Sequence, residues 1–174
     1  MDEMKKYSVN EIFLAAQGEG VRSGTTNVFV RFQGCNLQCS ADGEAGFDCD
    51  SEFQSGKQYT LDELHNAIRD ACGIYPVPKW LILTGGEPAL QVDKEFCDFF
   101  VCAGFQLAME TNGTKELPRA ENFSDQHPDW NNILHGYLID WICVSPKSAE
   151  HTIRQPFAHE VKYVRNLSQQ IPKP

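Results

Sequence analysis

No stretch of this 174-residue chain approaches the ~20 consecutive apolar residues that a membrane helix requires. Its best apolar runs, WLIL and DFFVCAGF, have the length of core segments. The first ten residues, MDEMKKYSVN, lack the apolar h-region of a secretory leader, so a cytoplasmic protein is expected. Basic residues are few: 15 Lys and Arg against 24 Asp and Glu give a formal net charge of -9. Without clustered cations the chain does not suit non-specific binding to a nucleic-acid backbone. Internal repeats and low-complexity tracts are also missing. What is left is ordinary globular composition, 41% hydrophobic and 22% charged, at a length that suits one domain with a sizeable core. A single domain over residues 1–174 is therefore expected.

Cysteine is plentiful, with seven residues. In a chain without a leader these are thiols or metal ligands rather than disulfides. Cys72, Cys97, Cys102 and Cys143 sit inside apolar patterns and are expected to be buried packing residues. Cys35, Cys39 and Cys49 share one glycine-bearing stretch, RFQGCNLQCSADGEAGFDCD. Three cysteines cannot all pair, and three is one fewer than a closed Cys₄ zinc site uses. The count suggests a metal centre with one position open, or a Cys₃His zinc site completed by His65 or another histidine.

Short apolar runs alternate with helical patterns. NVFVRF (Asn27–Phe32), KWLIL (Lys79–Leu83), Phe105–Met109, Trp141–Val144 and Glu160–Val164 have strand character, with Val28, Val30 and Phe32 on one face. A helix begins after Thr60, where Thr60 and Glu63 form a capping box and Leu61, Leu64, Ala67, Ile68 and Ala71 recur at helical spacing. A second helix spans Asp93–Ala103, with Phe96, Phe99 and Phe100 inward and Gly104 as its stop. Most of Leu117–Gly136 is polar and expected to be loop. Strands alternating with helices imply a parallel sheet, either open or rolled into part of a barrel, with ligands at the carboxyl ends of its strands.

Those ends carry polar motifs. The cysteine loop follows NVFVRF, TGGEP (Thr84–Pro88) follows KWLIL, ETNGT (Glu110–Thr114) follows Phe105–Met109, and SPK (Ser145–Lys147) follows Trp141–Val144. Each alone is an ordinary turn; four on one rim suggest a site.

FLAAQGEG, FVRFQGCNLQC, CDS, LTGGEPAL, METNGT and VSPK, in that order over most of the chain, resemble the radical S-adenosylmethionine (SAM) superfamily. Within it they resemble the 7-carboxy-7-deazaguanine synthases. The resemblance implies an α/β fold, a partial TIM-like barrel of parallel strands with a 4Fe-4S cluster loop after the first strand. It implies a lyase of queuosine-type 7-deazapurine biosynthesis, contracting a 6-carboxy-5,6,7,8-tetrahydropterin ring with loss of ammonia. The implied cofactors are a 4Fe-4S cluster, SAM and Mg²⁺. The implied partners are the small pterin, an electron donor such as flavodoxin, and a second copy of the chain in a homodimer.

By the same resemblance Cys35, Cys39 and Cys49 would hold the cluster and Ser51 the magnesium. Gln17, Gly18, Glu19, Arg31 and Thr84 would bind substrate, and Gly85, Gly86, Glu87, Glu110, Ser145 and Lys147 would bind SAM, with Glu87 accepting from its ammonium. The superfamily spacing is usually Cys-x₃-Cys-x₂-Cys; here it is Cys35-x₃-Cys39-x₉-Cys49, an enlarged loop of a kind this family contains. Serine stands at position 51 where the family usually has threonine, and keeps the oxygen a hard cation needs. The family continues past the stretch HEVKYVRN with a histidine-bearing segment that has no counterpart here. Other readings of the same motifs are a glycyl-radical activase, which shares the cluster and GGEP but does not need QGEG, and a structural zinc module.

Overall fold

The computed structural model describes residues 4–43, 45–49, 51–120 and 136–164. Its strands form one sheet in the order β3-β1-β2-β4-β5-β6-β7. The members are β1 (Tyr7–Ala16), β2 (Thr26–Phe32), β3 (Lys57–Tyr59), β4 (Trp80–Gly85), β5 (Gln106–Thr111), β6 (Trp141–Val144) and β7 (Glu160–Val161). From β2 to β7 neighbours run parallel, whereas β1 pairs antiparallel with both β2 and β3. The sheet is open, an incomplete barrel of the α/β class. Among the described residues no helix is long and apolar enough to cross a membrane.

Both helices form where the local signals place them. Helix α1 (Leu61–Cys72) starts at Thr60, whose Oγ1 accepts from Glu63 N at 3.3 Å while Glu63 Oε2 accepts from Thr60 N at 2.8 Å. Helix α2 (Lys94–Cys102) starts at Asp93, whose carboxylate accepts from Phe96 N at 3.0 Å and from the Tyr7 hydroxyl at 3.1 Å. Its buried side chains are Phe96, Cys97 and Phe100. Cys72, Cys97 and Cys143 are buried as expected, but Cys102 is exposed, because it falls on the face of α2 opposite Phe96 and Phe100.

Two expectations need correction. The cysteine loop follows β2, not the first strand of the chain, because Tyr7–Ala16 is itself a strand. Its side-chain alternation is broken by a bulge between Val9 and Glu11. Before the bulge Tyr7 and Val9 face the helices; after it Ile12 and Leu14 do, so no single period of two runs through the segment. The last expected strand ends at Val161 rather than Val164. Residues 121–135, the bulk of the expected loop, lie outside the described residues.

The sheet has two unlike faces. Val28, Val30, Phe32, Leu81, Leu83, Leu107, Met109, Ile142 and Val144 are buried on one and pack with α1 and α2. Here the Phe96 ring lies 5.2 Å from Tyr7, 5.8 Å from Phe32 and 4.6 Å from Phe100. The other face carries a smaller apolar row, Phe29, Ile82 and Ala108, flanked by Phe13, Trp80 and Trp141. The strand register then places Arg31 beside Thr84, and Glu110 beside Cys143, one step nearer the carboxyl ends. Apolar and polar side chains thus stack in layers, as in a barrel interior.

Phe96 is fully buried and joins β1, β2 and α2. We predict that Phe96→Ala destabilises the fold by about 3–5 kcal/mol. Urea titration would show this as a lower midpoint with an unchanged slope.

Candidate active site

Backbone contacts join the polar strand ends in pairs before any side chain is considered, Ser145 N donating to Thr111 O at 2.7 Å. Gly86 N donates to Phe32 O at 3.1 Å and Glu87 N donates to Gly34 O at 2.8 Å, so the TGGEP turn is bonded to the start of the cysteine loop. A Cβ on Gly86 would strike the Gly34 carbonyl. Gly85, at φ 109°, has no room for a Cβ between Arg31 and Phe32. The two glycines serve first to let two loops of the protein touch.

Glu87 is fully buried and turned inward. Its Oε1 accepts from Thr111 Oγ1 at 2.6 Å and Ala89 N at 3.0 Å, and its Oε2 from Asn112 N at 2.7 Å. Burial pushes its pKa up, opposed by these three donors. The carboxylate expected to receive a ligand's ammonium here joins the turn after β4 to the end of β5. ETNGT is likewise more than a turn. Asn112 donates to Asn36 at 3.1 Å, and Asn36 donates to Thr114 at 2.8 Å, so the loop after β5 clasps the cysteine loop. Thr111, Asn112 and Asn36 escaped sequence reading although they lie in the quoted motifs, because an asparagine in a turn signals only the turn.

Cys35, Cys39 and Cys49 are free thiols on this one loop. Leu37 N points at Cys35 Sγ from 3.4 Å, and Asn112 Nδ2 from 4.0 Å. Burial raises the pKa of Cys35, and the Leu37 amide opposes it. Burial also raises that of Cys39, reinforced by Cys49 and Cys35 and opposed by Lys147. The three sulfurs therefore lie within electrostatic reach of one another. Among the described residues no three His, Cys, Asp or Glu side chains converge as a single metal ion requires. His65 packs edge-on to Phe99, Phe100 and Phe105, with ring centroids 6.1, 6.4 and 6.1 Å away, on the helical side of the sheet. A loop of three unpaired thiols without histidine fits an iron–sulfur cluster better than zinc.

Lys147 reaches back to this loop, with Nζ 5.3 Å from the Phe47 ring centroid and 2.8 Å from Ser145 Oγ. Ser145 Oγ donates to Lys162 O at 3.0 Å. Ser51 follows Cys49, whose Sγ faces Ser51 O at 3.7 Å, and it starts no helix.

On the concave face, Glu110 collects three donors. Gln17 Nε2 lies 3.0 Å and Lys162 Nζ 3.1 Å from Oε1, and Thr84 Oγ1 lies 3.0 Å from Oε2. Glu19 Oε2 is 3.6 Å from the same Lys162 ammonium. Glu160 accepts from Val21 N at 3.3 Å and occupies the space a Cβ on Gly20 would need, which explains the second glycine of QGEG. Gly18 is exposed with open space around it. Arg31 stands apart from the cluster, 3.4 Å from Glu11 and 5.6 Å from the Phe13 ring centroid. Of the five expected substrate residues, then, Gln17, Glu19 and Thr84 converge on Glu110 or its lysine, and Arg31 lies beside Thr84 in the sheet.

A family model described as a 4Fe-4S single cluster domain matches residues 16–110. The 7-carboxy-7-deazaguanine synthase of Bordetella pertussis is 36% identical, covering 91% of this chain and 71% of its own length. The enzyme of the same name from Caulobacter vibrioides is 36% identical over 96% of this chain and 75% of its own. That of Bacteroides thetaiotaomicron is 38% identical over 80% and 60%. Among solved structures, QueE from Escherichia coli superposes with a TM-score of 0.62 at 24% identity, covering 91% of this chain and 70% of that one, a likeness of fold.

Because Gly86 abuts Gly34, we predict that Gly86→Ala displaces the cysteine loop. The folded variant should retain less than half the iron of the parent after anaerobic reconstitution, a fraction set roughly by the strain of moving backbone rather than a side chain. Iron and sulfide assays on protein with an unchanged far-ultraviolet spectrum would check it.

Proposed function

This chain belongs to the 7-carboxy-7-deazaguanine synthase family of radical SAM lyases, and from that premise we propose how its own residues carry the reaction. The conversion is that of 6-carboxy-5,6,7,8-tetrahydropterin to 7-carboxy-7-deazaguanine with release of ammonia. The observation that supports this reading best is the convergence of Gln17, Thr84 and Lys162 on Glu110, with Glu19 on the same lysine, at the carboxyl ends of the strands and on the same rim as the three-thiol loop. A glycyl-radical activase has no use for this polar layer.

When bound, the cluster supplies the electron that reductively cleaves the SAM sulfonium. The protein supplies position. Cys35, Cys39 and Cys49 would hold the cluster, with amides of Leu37 and Asn112 directed at Cys35. Gly85, Gly86 and Glu87 would line the methionine end of SAM, and Glu110, Ser145 and Lys147 would contact its ribose or carboxylate end. Gln17, Gly18, Glu19 and Thr84 face the pterin, whose amide and amine edge matches a carboxylate and carboxamide pair. Arg31, at the rim, would turn from Glu11 to the substrate carboxylate. Ser51 would offer a hydroxyl oxygen for Mg²⁺ beside the substrate. The whole of residues 1–174 acts as one domain, working as a homodimer and drawing electrons from a flavodoxin-type donor in the cytoplasm.

The test is anaerobic turnover of the reconstituted protein with SAM, Mg²⁺, reductant and the pterin, following 7-carboxy-7-deazaguanine and ammonia. We expect product from the parent, and from Cys35→Ala, Cys39→Ala or Cys49→Ala neither product nor SAM cleavage. SAM cleavage by the parent with no pterin consumed would sink the assigned substrate. Arg31→Met should raise the KM for the pterin by about tenfold or more with kcat changed far less, the loss of one charge-assisted contact.

A further inference from the structure

Lys162 was expected only as part of a strand, and the residue roles given above assign it nothing. Its backbone is fixed on both sides: its N donates to Val144 O at 2.9 Å, and its O accepts from Ser145 Oγ at 3.0 Å. Its side chain is 19% exposed and crosses the concave face to Glu110 and Glu19. Those two carboxylates lie 91 positions apart in the chain and, without a cation between them, would repel. Gln17 and Thr84 also hold Glu110, but as neutral donors. The other cations nearby are directed elsewhere. The Arg22 guanidinium stacks 3.5 Å from the Trp80 ring centroid and donates to Asn27, and Arg31 pairs with Glu11. Burial alone would lower the pKa of Lys162, but the carboxylates of Glu110 and Glu19 outweigh it and hold the pKa above the usual lysine value, so the ammonium stays charged.

We propose that Lys162 is a positioning residue of this site: it fixes the Glu110 carboxylate and joins it to Glu19, so that the SAM-facing and pterin-facing groups share one ammonium. The inference rests on the reading of Glu110 as a SAM contact. It follows that losing the lysine disturbs both ligands together, although it need touch neither.

The experiment measures SAM affinity by equilibrium binding to anaerobically reconstituted protein, together with iron per chain and kcat and KM for the pterin. The proteins are the parent, Lys162→Met, Lys162→Arg and Glu110→Gln. Expected for Lys162→Met are normal iron, SAM binding about tenfold weaker, a raised pterin KM, and recovery of most of both in Lys162→Arg. If Lys162→Met does not fold, Lys162→Gln, which keeps a donor without the charge, is judged by the same criteria. Parent-like SAM affinity in the neutral variant together with weakened affinity in Glu110→Gln overturns the role of Lys162 alone. Parent-like affinity in both overturns it along with the reading of Glu110 beneath it. Equal losses in the neutral variant and Lys162→Arg, with iron retained, would also overturn it.

Discussion

One buried carboxylate organises the active rim. Glu87 accepts from Thr111, Asn112 and Ala89, while its own amide holds Gly34 at the start of the cysteine loop. A carboxylate removed from water is costly unless its lone pairs are filled, and here they are filled by groups at the end of β5 and in the turn after β4. The satisfaction of a single side chain therefore fixes the relative height of three loops. The absent Cβ of Gly86 completes the joint by letting the turn and the cysteine loop meet backbone to backbone. The clasp between Asn112, Asn36 and Thr114 then carries the same alignment outward to the residue beside Cys35.

The sheet separates stability from chemistry. Its helix-facing side is dry, aromatic and close-packed, and it is where the burial that stabilises the fold is concentrated. Its concave side is apolar only toward the amino ends, at Phe29, Ile82 and Ala108, and turns polar toward the carboxyl ends. Parallel strands in register bring this about with little sequence: alternate residues of each strand share a face, and neighbouring strands share a layer. Lys162, arriving from beyond β7, supplies the positive charge that lets Glu19 and Glu110 occupy that layer together. A rim of thiols beside a layer of fixed donors and acceptors suits a reaction in which the cofactors do the bond-breaking and the protein holds the reactants in place.

Much of this was legible in the chain. Thr60 with Glu63 and the recurrence of Leu64 and Ile68 identified α1, and Asp93 with Phe96 and Phe100 identified α2, because caps and helical periods act over a few residues. The β1 strand was not legible, since its bulge breaks the alternation that betrays a strand. Cys102 was read as buried on composition, but a helix has an outward face for apolar residues too. The order of QGEG, the cysteine loop, GGEP, ETNGT and SPK carried the resemblance to the family that the relatives show. Which way each side chain turned was another matter.

By itself, then, the sequence determined what is local: where helices begin, which strands are apolar, which loops carry thiols, glycines and carboxylates, and through their order the family. Only the tertiary structure decided what meets what. Gln17 reaches Glu110 across 93 positions of chain, and Lys162 reaches it across 52, because they gather over the same face of one sheet although β1, β5 and β7 are not neighbours in it. Glu87 turned inward for the same reason: its partners Thr111 and Asn112 exist as partners only once β4 and β5 lie side by side. Such pairings depend on long-range geometry that no short window of residues encodes.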